Sequence, residues 1–239
     1  MTAVDTAFHG LRRMISSGQL AAGQRFPPEA ELCAELGVSR GSMREAVRML
    51  SALGVVNSRH GSGVFVSQLR PEEIIGSLAL TVDLLPLSGL LEMYEVRRVL
   101  EAHAASQAAA RVTPEIATEL ESLLEAMEAE TNVEVVSELD TRFHNLIASA
   151  SGNPTLAAFL AVFRSRSRAY QIYGAEDGVD IKRISDESHR QIASGIIGHD
   201  PVLAAAAAAS HVAQTESWLR RYQPQPVGSD RGPEVQPGA

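Results

Sequence analysis

The chain has 239 residues, of which 45% are hydrophobic and only 5% aromatic, and its formal net charge is −8. This composition favours helices over sheet, and the length allows one large domain or two modest ones. A single cysteine, Cys33, excludes an intrachain disulfide. The most apolar stretch, 78–91, is interrupted by Asp83 and Pro86 and is too short to cross a bilayer, and no secretory leader is apparent. We therefore expect a cytoplasmic protein with no membrane partner.

Three helices and a hairpin are predicted in the first 66 residues. A helical stripe covers 4–17, and a short helix covers 29–36. Ser39 is a suitable N-cap for a third helix that ends near Leu53. Two β-rich runs then flank a glycine-containing turn within 55–66, as in a hairpin.

The rest of the chain has helical periodicity, so the predicted fold is mainly α with an all-helical second part. The tail, 223–239, is rich in Pro and Gly and is predicted to be disordered. The predicted domains are a smaller unit of three helices and a hairpin over 1–70 and a helical bundle over 71–222. The predicted helices of the bundle lie near 71–85, 89–111, 114–130, 132–150, 154–173, 178–198 and 201–221.

Charge divides the chain at the same place. Residues 1–70 carry eight Arg and five acids, a net of +3, whereas the remainder carries 13 Lys and Arg against 24 acids, a net of −11. A basic part joined to an acidic part indicates two roles, with phosphates a natural partner of the first.

The third helix has the pattern of a DNA-reading helix. Arg40, Arg44 and Arg48 recur every four residues and share one face, opposite the apolar positions. Such arginines can contact guanine edges or phosphates, and Ser39 can reach a phosphate oxygen. The predicted hairpin tip, 59–61, offers Arg, His and Gly. The alternative for the arginine row alone is a solvated helix face, and the flanking helix and hairpin favour the DNA interpretation.

The ordered motifs of residues 18–66 resemble those of the GntR family of bacterial regulators. They are Gly-Gln-Leu, Pro-Pro-Glu-Ala-Glu-Leu, Leu-Gly-Val-Ser-Arg, Met-Arg-Glu-Ala-Val, Leu-Gly-Val-Val and Gly-Ser-Gly-Val-Phe-Val. The resemblance implies a winged helix-turn-helix, with DNA-facing residues on the third helix and on the wing. On the helix these are Ser39, Arg40, Gly41 and Arg44, and on the wing they are His60 and Gly61.

One position departs from that family's pattern. The family usually has Arg where this chain has Ala30, and that Arg often touches DNA. Either one DNA contact is missing, or another residue such as Arg25 supplies it.

Four candidate metal ligands lie in the helical part. Asp140 falls within an apolar helical stripe and His144 lies at its margin, and His189 and His211 lie beside apolar residues on two later helices. A carboxylate and three imidazoles suit Zn²⁺ or a similar divalent ion. The alternative is four separate buried polar residues, each with its own hydrogen bonds. Spacing alone does not decide between the two.

Residues 71–221 resemble the FCD effector domain of the FadR-type subgroup of that family. The matching residues include Asp140-x-x-x-His144, Glu187-x-His189 and His211. The resemblance implies a metal ion, Zn²⁺ first with Ni²⁺ or Mn²⁺ as alternatives, held by Asp140, His144, His189 and His211. It also implies a small carboxylate effector, for which Arg97 is the candidate partner, with an ion-paired Arg as the alternative. The run of Arg164, Arg166 and Arg168 is interpreted as a solvated, partly interfacial segment.

The predicted function is a ligand-responsive transcriptional regulator, a homodimeric repressor at a near-palindromic operator. One alternative is a metal-dependent hydrolase that carries a DNA-binding domain, with Glu187 as its general base. Another is a constitutive DNA-binding protein whose metal is purely structural.

Overall fold

The computed structural model describes residues 1–167, 170 and 177–226 of the chain. The predicted disorder of 223–239 therefore falls largely on residues outside this set. Secondary structure follows the order helix, helix, helix, hairpin and then helices as far as Tyr222. The helices and strands are α1 (Ala3–Ser16), α2 (Glu29–Leu36), α3 (Arg40–Ala52), β1 (Val56–Arg59), β2 (Gly63–Val66), α4 (Pro71–Gly76), α5 (Ala79–Val82), α6 (Leu87–Arg111), α7 (Pro114–Ala129), α8 (Val133–Ala150), α9 (Pro154–Ser167), α10 (Gly178–Ile197) and α11 (Pro201–Tyr222).

The chain forms two compact units that divide between Leu80 and Thr81. The sequence placed this boundary after residue 70, so α4 (Pro71–Gly76) lies with the first unit instead of the second. None of the helices within the described residues is long and apolar enough to span a membrane.

The first unit is a helix-turn-helix followed by a hairpin, as predicted. Ser39 caps α3, because its hydroxyl accepts a hydrogen bond of 3.1 Å from the backbone N–H of Ser42. Strands β1 and β2 pair antiparallel, and Arg25 forms a further antiparallel bridge to Phe65. Apolar side chains from all three helices and both strands fill one core, including Leu11, Leu20, Leu32, Met43, Leu50, Val56 and Val66.

The second unit is built on α6, whose buried alanines allow close approach of other helices. The other helices of its main core are α7, α8, α10 and α11. Helix α10 approaches α11 so closely that a Cβ on Gly195 would lie 2.6 Å from the backbone nitrogen of Ala204. This packing fixes the relative positions of α10 and α11.

The single helix predicted over 71–85 is divided into α4 and α5. Helix α4 ends at Gly76, a residue with low helix propensity, and the Ser77 hydroxyl donates to the carbonyl of Ile74 at 2.7 Å. Helix α9 ends at Ser167, and the remainder of the helix predicted to 173 falls almost wholly outside the described residues.

Candidate metal centre and nucleic-acid interface

The four predicted metal ligands converge within the second unit. Asp140 and His144 lie one turn apart on α8, His189 lies on α10 and His211 on α11. Each offers one ligand atom, and these atoms all lie within 4.8 Å of one another. The rings of His189 and His211 are 4.5 Å apart between centroids, and the ring of His144 lies 5.2 and 5.1 Å from them. Convergence of residues from three helices is the geometry that a metal site requires.

The unsatisfied nitrogens of the histidines fit a metal ion. Nε2 of His144, both ring nitrogens of His189 and Nδ1 of His211 are buried and have no hydrogen-bond partner among the described residues. Oδ1 of Asp140 lies 3.2 Å from Nε2 of His189 and 3.7 Å from Nε2 of His144, without hydrogen-bond alignment. Buried nitrogens of this kind are costly unless a ligand satisfies them. A cation would satisfy one nitrogen of each ring, and the second nitrogen of His189 would still have no partner.

The protonation states of the cluster also suit metal binding. Burial raises the pKa of the Asp140 carboxyl, but His189, His211 and Arg164 lower it by more, to about 2. Burial, together with the charge of His189, lowers the pKa of His211 well below its ordinary value of 6.5. The site therefore presents a carboxylate and a neutral imidazole near pH 7, which are the forms that bind metals.

A buried ionic cluster adjoins the candidate ligands. Nε of Arg97 donates to Oε1 of Glu101 at 3.1 Å, and Nε of Arg164 donates to the same oxygen at 2.6 Å. A second nitrogen of Arg164 also bonds that oxygen. The side chain of Arg164 is only 7% exposed, so its interpretation as part of a solvated segment was wrong: Glu101 provides the buried charge that holds it. Arg168, also in that interpretation, lies outside the described residues.

One cavity of about 80 Å³ is lined by Asp140 and His211 of the metal cluster and by Arg97 and Arg164 of the ionic cluster. This space suits a few water molecules or a small organic ligand. Nη1 of Arg164 is buried with no hydrogen-bond partner among the described residues, and Nη1 of Arg97 donates to the hydroxyl of Ser167 at 3.2 Å. Hydroxyl-bearing side chains make up much of the remaining wall: Tyr94, Ser137, Thr141, Ser167, Tyr170, Ser185 and Thr215.

The candidate DNA-binding side chains lie on the surface of the first unit. Arg40 and Gly41 are exposed in the first turn of α3, beside the Ser39 cap. Nε of Arg44 donates to Glu29 on α2 at 2.9 Å, and Arg48 pairs with Glu45 at 3.2 Å.

The predicted wing tip is the turn between β1 and β2. His60 and Gly61 are exposed there. The guanidinium of Arg59 lies over the ring of Phe65, 4.8 Å from its centroid. This cation–π contact holds the Arg59 side chain against the wing.

Comparison with known proteins finds one family match within each of the two units. The family model for bacterial regulatory proteins of the gntR family matches residues 3–66, and the FCD domain model matches residues 92–214. The chain belongs to the GntR family of bacterial regulators. It is therefore a DNA-binding transcriptional regulator and not an enzyme.

Three GntR-type proteins illustrate the likeness. The chain is 30% identical over 232 residues to an Escherichia coli K12 protein provisionally named an L-lactate dehydrogenase operon regulatory protein, covering 91% of this chain and 86% of that one. It is 26% identical over 218 residues to the Bacillus subtilis regulator LutR, covering 87% and 97%. A solved structure of Streptococcus agalactiae GntR shares 26% identity and a TM-score of 0.59, covering 90% of this chain and 99% of that one.

Glu187 does not lie in the position that a hydrolase would require. Its exposed carboxylate pairs with Arg190 at 2.8 Å and accepts from Gln191 at 3.3 Å. The bonds from Arg190 and Gln191 lower its pKa, and it is absent from the candidate ligand cluster among the described residues. Nothing in the comparisons supports the hydrolase alternative.

Several cavity residues of this GntR-family chain were not predicted, although some had a local signal. Ser137 lies one turn before Asp140, Thr141 lies one turn before His144, and Thr215 lies one turn after His211. Helical spacing from a ligand would have indicated all three. Arg164 had no such signal, because its partner Glu101 lies on a different helix.

Proposed function

We propose that this GntR-family regulator senses a small carboxylate that binds beside a divalent metal ion. Asp140, His144, His189 and His211 would hold the ion. The observation that carries the proposal is the set of unsatisfied buried nitrogens in a cluster that shares a cavity with two buried arginines through Asp140 and His211.

The donor set favours Zn²⁺ as the resident ion. Three imidazoles and one carboxylate are borderline ligands, which Zn²⁺ accepts readily, and Ni²⁺ and Mn²⁺ are the alternatives. Such an ion acts as a Lewis acid toward an oxygen ligand. The Asp140 side chain is 31% exposed, so the cluster is not sealed from the cavity.

Charge balance explains why the ligand should be an anion. Arg97 and Arg164 carry two positive charges, and Glu101 and Asp140 carry two negative charges, so the protein groups alone sum to zero. A divalent ion would leave a net charge of +2 in a buried site, which is costly unless an anion compensates it. Arg97 is the first candidate partner for that anion, and the free nitrogen of Arg164 is a second.

The wall of the cavity favours a hydroxylated carboxylate over an apolar one. Its many hydroxyl groups can donate to or accept from a polar ligand. A relative named for an L-lactate dehydrogenase operon supports the same chemical class.

DNA recognition would use α3 and the wing. We expect a homodimer to place two copies of α3 in successive major grooves of a near-palindromic operator in the cytoplasm. The contacting residues would be Ser39, Arg40, Gly41, Arg44, Arg48, Arg59, His60 and Gly61. The effector would relieve repression by binding one arrangement of the dimer more tightly than the other.

The metal content of the purified protein tests the proposed site. We expect about one divalent ion per chain, and loss of that ion in His189→Ala and in His211→Ala, with purification free of chelators and nickel resin. His103→Ala, which changes an exposed histidine on α6, is the matched control and should keep the ion.

Effector binding is tested on the metal-loaded protein with a panel of small carboxylates. A thermal shift that Arg97→Met abolishes, together with a change in DNA affinity, would support sensing. Absence of metal from the unmutated protein after Zn²⁺ is supplied would refute the site. Metal binding with DNA affinity indifferent to every carboxylate would instead favour a constitutive regulator with a structural ion.

A further inference from the structure

A cleft in the first unit carries more positive charge than its walls neutralise. It lies between α2, α3 and the hairpin, and its floor is apolar, with Phe26, Leu32, Met43, Val47 and Val64. Three arginines line it, Arg25, Arg44 and Arg48, and the one acid among its lining residues is Glu29. Arg44 already pairs with that acid through Nε.

Arg25 differs from the other two arginines in having no counter-charge. Arg48 pairs with Glu45, and Arg44 pairs with Glu29. Within the part of the chain that the structure describes, Arg25 forms no ion pair and no side-chain hydrogen bond, and it is exposed. A cation without a partner at the mouth of a cleft is available to an anion.

The backbone holds Arg25 against the wing. The N–H of Phe26 donates to the carbonyl of Val64 at 2.8 Å, and the N–H of Val66 donates to the carbonyl of Gln24 at 2.9 Å. Arg25 thus lies in an isolated antiparallel bridge to Phe65 of β2. These bonds flank Arg25 on both sides, so its Cα has a fixed position although its side chain is exposed.

Gly63 makes room for the guanidinium. A Cβ on Gly63 would lie 3.0 Å from Nε of Arg25 and 3.4 Å from its Nη2, closer than ordinary van der Waals contact. The Arg25 side chain therefore lies across the first residue of β2, on the side of the hairpin that faces α3 in the cleft. This location joins the two elements that the proposed function assigns to DNA.

We propose that Arg25 binds a backbone phosphate of the operator, in the cleft between α3 and the wing. The inference rests on the proposed DNA-binding face and extends it to a residue outside the helix-turn-helix. Ser58, which also lines the cleft, supplies a hydroxyl that can bond the same phosphate. Ala30 on α2 contributes no cation, and Arg25 would provide the positive charge from the segment that bridges to β2.

A phosphate contact has a signature that a base contact lacks. The logarithm of DNA affinity falls linearly with the logarithm of salt concentration. Each phosphate that the protein neutralises makes this slope steeper by about 0.9. Its removal weakens binding to all sequences alike, whereas loss of a base contact relaxes the preference for one base pair. Salt dependence and sequence preference together therefore identify the contact.

The test compares Arg25→Gln with the unmutated protein in DNA binding. Duplexes are selected with the unmutated protein from a random-sequence pool, and affinity is measured from about 0.05 to 0.5 M salt, on the selected duplex and on one with changed bases. We expect the salt slope to fall by about one and affinity at 0.1 M salt to drop about eightfold, if the two proteins bind equally at 1 M salt. The drop should be the same on both duplexes.

Two variants serve as controls. Arg12→Gln removes an equal charge from the exposed face of α1, away from the cleft, and should leave the slope within a few tenths of its original value. Arg25→Lys keeps the charge and should keep most of the slope, which separates charge from folding. Circular dichroism verifies that each variant folds.

The outcomes separate this inference from the proposed function. Failure of the unmutated protein to select any duplex would refute DNA binding itself. Selection of a duplex with an Arg25→Gln slope equal to that of the unmutated protein would overturn the role of Arg25 alone. A changed base preference at an unchanged slope would also overturn it, in favour of a base contact.

Discussion

At the scale of single residues, the feature with the largest expected effect on stability is a buried glutamate that pairs with two buried arginines. Oε1 of Glu101 accepts from both Arg97 and Arg164, and all three side chains are less than a tenth exposed. Burial raises the pKa of Glu101, but Arg164 and Arg97 lower it by more, so the carboxyl is charged in the folded protein. Removing that charge would leave two buried cations facing each other.

Glu101→Gln is therefore expected to lower the free energy of unfolding by about 3 to 5 kcal/mol, as for other buried pairs that lose one partner. Acid has the same effect: the stabilisation is complete above the ordinary pKa of 4.5 and is lost as pH falls through the lower folded-state value. Urea unfolding measures both. Glu92→Gln, at an exposed position of α6, should change the free energy by less than about 0.5 kcal/mol. A loss below about 1 kcal/mol in Glu101→Gln would contradict the argument.

Sequence predicted the four metal-ligand candidates but not the surroundings of Arg164. Asp140 and His144 were recognisable because local helical spacing places them together. Whether His189 and His211 approach them depends on the packing of three helices, which no local pattern encodes. Arg164 was misinterpreted for the same reason, since its partner Glu101 lies on α6.

At the scale of elements, the site depends on how closely α10 packs on α11. Gly195 on α10 faces the backbone of Ala204 on α11, and these two helices carry His189 and His211. A larger residue at the contact must separate the helices, because the atoms it would meet include rigid backbone.

Gly195→Ala should therefore destabilise the protein by about 1 to 3 kcal/mol and weaken metal binding. Competition with a chelator of known affinity measures the metal dissociation constant. The matched control is Gly76→Ala on α4, where a Cβ would meet nothing within 4 Å and where we expect no loss of stability. Unchanged metal affinity in Gly195→Ala would show that the site tolerates movement of these helices.

Most elements were predictable because their signals are local. Capping by Ser39, the apolar stripe of α1 and the glycine-containing turn of the hairpin all depend on neighbouring residues. The division of the helix predicted over 71–85 was missed, because apolar periodicity continues across it while Gly76 and Ser77 end the first helix.

At the scale of the whole molecule, the chain consists of two compact units with separate cores. The sequence indicated this through its charge, since the first 70 positions carry a net charge of +3 and the remaining positions a net charge of −11. It placed the boundary earlier than the structure does, because α4 has the same helical pattern as the elements that follow it.

Calorimetry of the full chain should accordingly show two unfolding transitions. Metal and a bound carboxylate should raise the midpoint temperature of only one of them. The corresponding gain in free energy of unfolding is about 2.7 kcal/mol when the ligand is at a hundred times its Kd. The His211→Ala variant identifies that transition, since its response to metal should be lost. A single transition that shifts as a whole would contradict independent units.

The origin of the four ligands on three different helices has a further consequence for regulation. On the proposed assignment, the ion is needed both to connect α8, α10 and α11 and to create the excess charge that attracts the carboxylate. The regulator would then respond only when the metal and the carboxylate are both present at sufficient concentration. A cell short of the metal would respond as though the carboxylate were absent, however much of it were present.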